Sequence, residues 1–245
     1  MISTNERSQA PELMDDFNME GEILRDALDK IAAINRLLGG NKVTLEGIKK
    51  LIGRRQTISI LDVGCGGGDM LRMLAAYAKE KRLDFQLKGI DANAFTIKHA
   101  RAQSADYENI SYECQDIFEH ISSNHTYDII ICTLTIHHFH DGEIIELLEH
   151  FTARAKIGVV INDLHRSPLA YYLFKALCAV FRLNYMSEQD GLVSILRGFK
   201  QKDLRRYAQT LNLKKHRIRW KWAFRYQWII YSESHSDTST KSKTA

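Results

Sequence analysis

The chain has 245 residues, 44% of them hydrophobic and 26% charged, with a formal net charge of +4. That is enough apolar material for one large domain, with or without an added cap, and too little charge to favour nucleic acid over an ordinary enzyme's partners. Cys65, Cys114, Cys132 and Cys178 include no CxxC pair, which excludes a metal-knuckle spacing and reads as reduced thiols in a reducing compartment.

The first residues are polar and acidic and carry no apolar signal core. The longest apolar-rich stretch, 169–183, contains Lys175 and Arg182 and is too short and too charged to span a bilayer. A cytoplasmic protein without stable membrane insertion is therefore expected.

Ile23, Leu24, Ala27, Leu28, Ile31, Ile34 and Leu37 recur at three-to-four spacing, which predicts a helix. Gly39–Gly40 stops it, and Thr44 is placed to cap a second, shorter one. From Thr57 short apolar runs alternate with helical stretches. Strands are predicted at 58–63, 85–90, 110–114, 127–132 and 157–161, with helices over about 70–79, 93–103 and 141–151. Ser167–Pro168 opens a long apolar helix to Leu183, another follows near 201–211, and strand-like runs at 214–219 and 223–231 end the pattern. Alternation of this kind predicts an α/β fold: a doubly wound, mostly parallel seven-stranded sheet, closed by an antiparallel hairpin. Residues 1–52 are expected to be an N-terminal helical cap and 53–231 the main domain. The Ser/Thr-rich tail from Ser232 is expected to be disordered.

The most informative stretch is "LDVGCGGGD" at 61–69. A glycine loop after the first strand of an open sheet lies where such sheets bind ligands. No Gly-Lys-Ser/Thr follows, so it is not a phosphate loop. It is a poor dinucleotide fingerprint too, because Asp69 stands where the third glycine belongs. The pattern is Asp62-x-Gly64-x-Gly66-x-Gly68. It resembles motif I of the class I S-adenosylmethionine-dependent methyltransferases, and the likeness extends in order of elements over 57–231. "KGIDAN" with Asp91, "ECQDIF" with Asp116, and "YDIIICTLTIHHFHD" fall at the ends of successive predicted strands, as that family expects. Met14–Asp16 and 34–40 resemble, more loosely, a bacterial small-molecule branch.

The resemblance implies a Rossmann-like methyltransferase fold and S-adenosyl-L-methionine as cofactor. Asp91 would hold both ribose hydroxyls, and Asp116 would take the adenine amino group with Ile117 adding a backbone contact. Cys65, Ala92 and Thr133 complete the expected cofactor contacts with Asp62, Gly64 and Gly66. The residue types suit that ligand. Glycines let backbone amides approach a carboxylate, a helix start favours an anion, and a carboxylate accepts two bonds from a diol. Asp62 is placed to order the loop and to meet the amino end.

Methyl transfer to a hydroxyl needs a base only where the acceptor must lose a proton. His138, His165 and Asp163 are the candidates, with His137 and His140 nearby. No metal is expected, since the histidine spacing is not HExxH and no cysteine joins it. Asp190, Ser194 and Arg197 share one helical face, read as a solvated polar face rather than as a tie for a lid. The apolar helix 169–183 predicts a cap-enclosed pocket for a small, largely apolar acceptor: an aromatic, polyketide or quinone-like metabolite methylated on oxygen. Tyr171, Tyr172, Phe174 and Phe181 would line it. A membrane-surface or homodimer contact is the competing use of that helix. The alternatives in function are two. The basic, aromatic run 214–228 supports a nucleic-acid methyltransferase, against which the loop after the fourth strand lacks an Asn/Asp-Pro-Pro-aromatic motif. A non-catalytic cofactor-binding module is the other, though no decay of motif I is visible.

Overall fold

The computed structural model describes residues 2–122, 124–181 and 183–232. The tail expected to be disordered lies, beyond Ser232, outside them. Seven strands alternate with helices as the sequence predicts: β1 (Thr57–Val63), β2 (Asp84–Asp91), β3 (Ile110–Cys114), β4 (Tyr127–Thr133), β5 (Ala155–Leu164), β6 (His216–Lys221) and β7 (Arg225–Tyr231). They form one sheet in the order β3-β2-β1-β4-β5-β7-β6. The first five are parallel and β7 runs antiparallel to both β5 and β6. The strand order reverses beside β1, which puts the glycine loop at the topological switch point.

The helices are α1 (Glu22–Leu37), α2 (Gly40–Ile52), α3 (Asp69–Lys81), α4 (Ala94–Gln103), α5 (Ile117–Ser122), α6 (Asp141–Arg154), α7 (Pro168–Phe181), α8 (Tyr185–Arg197) and α9 (Gln201–Thr210). Two apolar layers flank the sheet. One is built on Ile130, Val159, Leu147, Phe151 and Trp228; the other holds Ile48, Leu51, Leu71, Leu74 and Ile229. So α2, although N-terminal, is part of the sheet's own packing.

Several local expectations need correction. Thr44 does not cap α2: the helix starts four residues earlier from Gly39, whose φ of 72° is left-handed. Thr44 is instead fully buried on the sheet, bonded to Thr133 Oγ1 (2.9 Å) and to Asn162 Nδ2 (3.0 Å). The α8 helix was not expected as such; Asn184 caps it by accepting from Ser187 N at 2.8 Å. The helices α1 and α7 face one cavity, as expected of a cap, but α7 packs mainly on α8 and leaves Leu169, Tyr172, Leu173, Val180 and Phe181 exposed. No helix among the described residues is long and apolar enough to cross a membrane.

Candidate active site

The carboxyl ends of the parallel strands open into a cavity of about 730 Å³. All nine residues expected to touch the cofactor line it: Asp62, Gly64, Cys65, Gly66, Asp91, Ala92, Asp116, Ile117 and Thr133. The loop has to be glycine for two separate reasons. Gly64, Gly66 and Gly68 all take left-handed φ, at 66°, 50° and 75°. In addition, a Cβ on Gly64 would collide with Thr135 and one on Gly68 with Tyr112. Gly66 faces open space, the room a ligand needs for backbone approach.

Asp91 fastens this loop to the next strand. Its Oδ2 accepts from Gly66 N (3.1 Å) and its Oδ1 from Asn93 N (3.0 Å), and each oxygen keeps a further lone pair. Burial outweighs these two bonds and lifts its carboxyl above the usual range. Asp62 is 2% exposed and its Oδ1 has no partner. Burial, then Asp69 and Asp91, raise it well above an ordinary carboxylate. A buried acceptor without a donor beside a glycine loop fits the ammonium end of an amino-acid-like ligand. Asp116 does act as a cap, accepting from Phe118 N at 2.7 Å, while still lining the cavity.

The other half of the cavity is apolar and includes Leu24, Leu28, Ile31, Leu173, Phe174 and Leu177. Of the four aromatic residues expected there only Phe174 lines it; Tyr172 and Phe181 are exposed on the outer side of α7. His137, His138, His140 and His165 also line the wall, whereas Asp163 does not. Asp163 is 1% exposed and sits behind His137, bonded to its Nδ1 at 2.7 Å. It can orient a histidine but cannot touch an acceptor. His165 Nδ1 accepts from Trp220 Nε1 (3.3 Å), and burial followed by the charges of Lys200 and Arg166 lowers its pKa.

Sequence spacing could not reveal a strap, residues 4–19, that crosses this end of the sheet. Arg166 Nε holds the carbonyl of Thr4 (3.0 Å), and Arg7 reaches the carbonyls of His137 and Phe139 (both 3.0 Å). Asn93 Nδ2 holds Phe17 O (3.1 Å) and Met19 O (2.8 Å). The polar face of α8 is the strap's seat rather than a solvated surface. Asp190 accepts from Leu13 N (2.7 Å) and Met14 N (3.0 Å), Ser194 donates to Glu12 (2.7 Å), and Arg197 Nη1 donates to Asp15 (2.7 Å).

The strap thereby delivers two carboxyls to the histidine pair. Asp15 Oδ1 lies 2.6 Å from His138 Nδ1. Burial opposes ionisation of Asp15, but bonds from His138, the Glu12 backbone and Arg197 together hold it below the ordinary range. Glu12 is 6% exposed and has an Oε1 3.6 Å from His137 Nε2. Burial pushes its pKa up to about 7 against the charges of His138 and Arg197. Glu12, His137 and His138 each offer a ligand atom within 4.8 Å of the others, a grouping the sequence reading did not foresee. Arg197 also stands beside this cluster, with its Nη1 3.8 Å from Glu12 Oε1.

Comparison with known proteins agrees with this architecture. Residues 60–158 match the family described as a methyltransferase domain. Ubiquinone biosynthesis O-methyltransferases are similar in sequence. The one from Rickettsia conorii is 31% identical over 64% of this chain and 52% of its own length. That from Rickettsia canadensis is 33% identical over 54% and 56%. This chain thus spans little more than half the length of these relatives. Among solved structures, the plantazolicin methyltransferase BpumL with bound SAH is 18% identical at a TM-score of 0.64, over 86% of this chain and 89% of its own. Magnesium protoporphyrin IX methyltransferase from Synechocystis, also with SAH, is 15% identical at 0.56, over 89% and 92%. These two share the fold. The sequence match shows that residues 60–158, with motif I in place at the switch point, carry a methyltransferase domain.

Proposed function

We propose that this protein transfers the methyl group of S-adenosyl-L-methionine to a hydroxyl of a small, largely apolar acceptor. The observation that carries the proposal is the His138–Asp15 pair in the wall of a cavity that also holds the glycine loop and an apolar half. The names of the sequence relatives, O-methyltransferases of ubiquinone biosynthesis, support an aromatic, quinone-like acceptor.

When bound, the cofactor supplies an activated methyl on a sulfonium, so orientation and proton removal are what the protein must add. Asp62 and the loop amides suit the amino-acid end, Asp91 the ribose diol, and Asp116 the adenine amine. With His138 Nδ1–H donated to Asp15, the tautomer leaves Nε2 free to accept the acceptor's hydroxyl proton. Asp15 stabilises the imidazolium that results. His137, pinned by Asp163, packs at 4.3 Å between ring centroids against His138 and holds it in place.

In this reading residues 1–52 form the cover, with α2 as its foot on the sheet, and 53–231 the cofactor-binding domain. The four cysteines are free, in keeping with a cytoplasmic setting; a homodimer would use the exposed face of α7. His138→Gln is the test. Turnover with labelled cofactor should fall by about 100-fold or more, while affinity for S-adenosylhomocysteine, measured by calorimetry, stays within about twofold. Normal turnover in this variant would remove His138 as base.

A further inference from the structure

Arg225 is unusual in having a buried charge without a matching partner. The residue is 4% exposed and lines the cavity. Its Nη2 donates to Asn35 Oδ1 at 2.7 Å, but Nε and Nη1 have no partner. The carboxylates whose charge it feels are Asp163 and Asp69, and both are used elsewhere: Asp163 by His137 (2.7 Å) and Asp69 by Asn41 Nδ2 (2.6 Å). Burial lowers its pKa to about 10, which still leaves it a cation at neutral pH. An unpaired buried guanidinium is costly. It persists where a ligand anion completes it.

A second donor set converges on the same place. The 13-residue helix α2 begins at Gly40 without a side-chain cap, so its first-turn amides lack partners within the helix and its dipole favours an anion. A Cβ on Gly40 would stand 3.0 Å from the Arg225 guanidinium carbon. The guanidinium thus lies close against the helix start. Asn41, the next residue, also lines the cavity.

Strand order points to the acceptor, while Asp69, just past the glycine loop, lies within reach of the Arg225 charge, so the test must also read the cofactor. The expected cofactor contacts lie at the ends of β1, β2, β3 and β4. Arg225 opens β7, three places from β1 in the order β1-β4-β5-β7, or about 14 Å at the usual strand spacing. Its neighbours in the cavity wall are His165, Trp222 and Phe224. The turn between β6 and β7 places Ala223 and Phe224 at left-handed φ of 60° and 53°, and so sets aromatic surface beside the charge.

We propose that Arg225 and the uncapped start of α2 form a carboxylate-binding subsite for the acceptor, so that the molecule methylated is an aromatic acid rather than a neutral phenol. This rests on the methyltransferase reading above, and the test separates the two. The probes are 6-hydroxy-2-naphthoate and its methyl ester, titrated by calorimetry into the full chain saturated with S-adenosylhomocysteine; no turnover is required. The wild-type protein should bind the acid at least tenfold tighter than the ester. Arg225→Gln should erase that preference and Arg225→Lys should keep part of it, with affinity for S-adenosylhomocysteine unchanged in both. Equal binding of acid and ester by the wild-type protein overturns the subsite, even if no variant folds. Loss of S-adenosylhomocysteine affinity in Arg225→Gln, with decarboxylated S-adenosylmethionine bound as before, also overturns it: the carboxylate held would then be the cofactor's own. Failure to methylate the acid, with selective binding intact, counts against the enzymatic reading alone.

Discussion

Replacing Glu12 by glutamine should make the protein more stable, and more so as pH rises. In the fold Glu12 titrates at about 7 instead of the ordinary 4.5, with burial the largest cause. The folded chain therefore keeps a proton that the unfolded chain releases between those two values. The contribution of Glu12 to wild-type stability is thus greatest below about pH 4.5, falls as pH rises towards 7, and is flat above. The gap corresponds to roughly 3 kcal/mol at most. Glutamine mimics the protonated acid at every pH. Its carbonyl can keep the bond from Ser194 Oγ (2.7 Å), and its amide can donate to His137 Nε2, which lies 3.6 Å from Glu12 Oε1 and has no partner. Urea unfolding of both proteins at pH 5, 6, 7 and 8 isolates the effect, because every other titrating group is common to the two. The advantage of Glu12→Gln should be small at pH 5 and reach about 2–3 kcal/mol at pH 8. Parallel stability curves would refute the reasoning, and with it the view that the strap seals Glu12 from water.

Asp15→Asn keeps the shape of the pair but removes the charge that steadies a protonated His138; turnover should fall at least about tenfold, with S-adenosylhomocysteine affinity unchanged by calorimetry. Because the fold depresses the Asp15 carboxyl, its contribution to stability is present above about pH 4 and lost as pH falls further; acid unfolding of this variant should be correspondingly flatter. Asp91→Ala and Gly66→Val should each weaken binding of S-adenosylmethionine by about 1.5–3 kcal/mol; unchanged affinity in folded protein would remove the cofactor assignment. Asp190→Ala frees the backbone of Leu13 and Met14, and limited proteolysis should then cut within residues 4–19 first; an unchanged cleavage pattern would show that the strap does not depend on α8.

The glycine-loop half of the cavity was legible because its signals are local. Gly64, Gly66 and Gly68 mark a tight turn, and Asp62, Asp91 and Asp116 each end or follow a strand whose apolar run is plain. The acceptor half was not, because its chemistry is assembled across the chain. Glu12 and Asp15 reach His137 and His138 from more than 120 residues away. The spacing of Asp190, Ser194 and Arg197 was visible, but its reading as a solvated face failed, since spacing does not say what a polar face meets. Thr44 was misplaced for a related reason: a threonine ahead of an apolar pattern looks like a cap, while here the sheet residues Thr133 and Asn162 claim its hydroxyl. The four-aromatic wall failed because α7 turns Tyr172 and Phe181 outward. Arg225 gave no signal, as arginine in a basic strand pair reads as surface.

The central claim is transfer of a methyl group to an acceptor hydroxyl. Mass spectrometry tests it directly, after incubation of the full chain with methyl-labelled S-adenosylmethionine and a set of hydroxylated aromatic acids, esters and quinols. The account predicts an O-methylated acceptor formed in equal amount with S-adenosylhomocysteine, and neither product with His138→Gln. Binding of the cofactor without methylation of any acceptor, or label recovered in RNA instead, would contradict it.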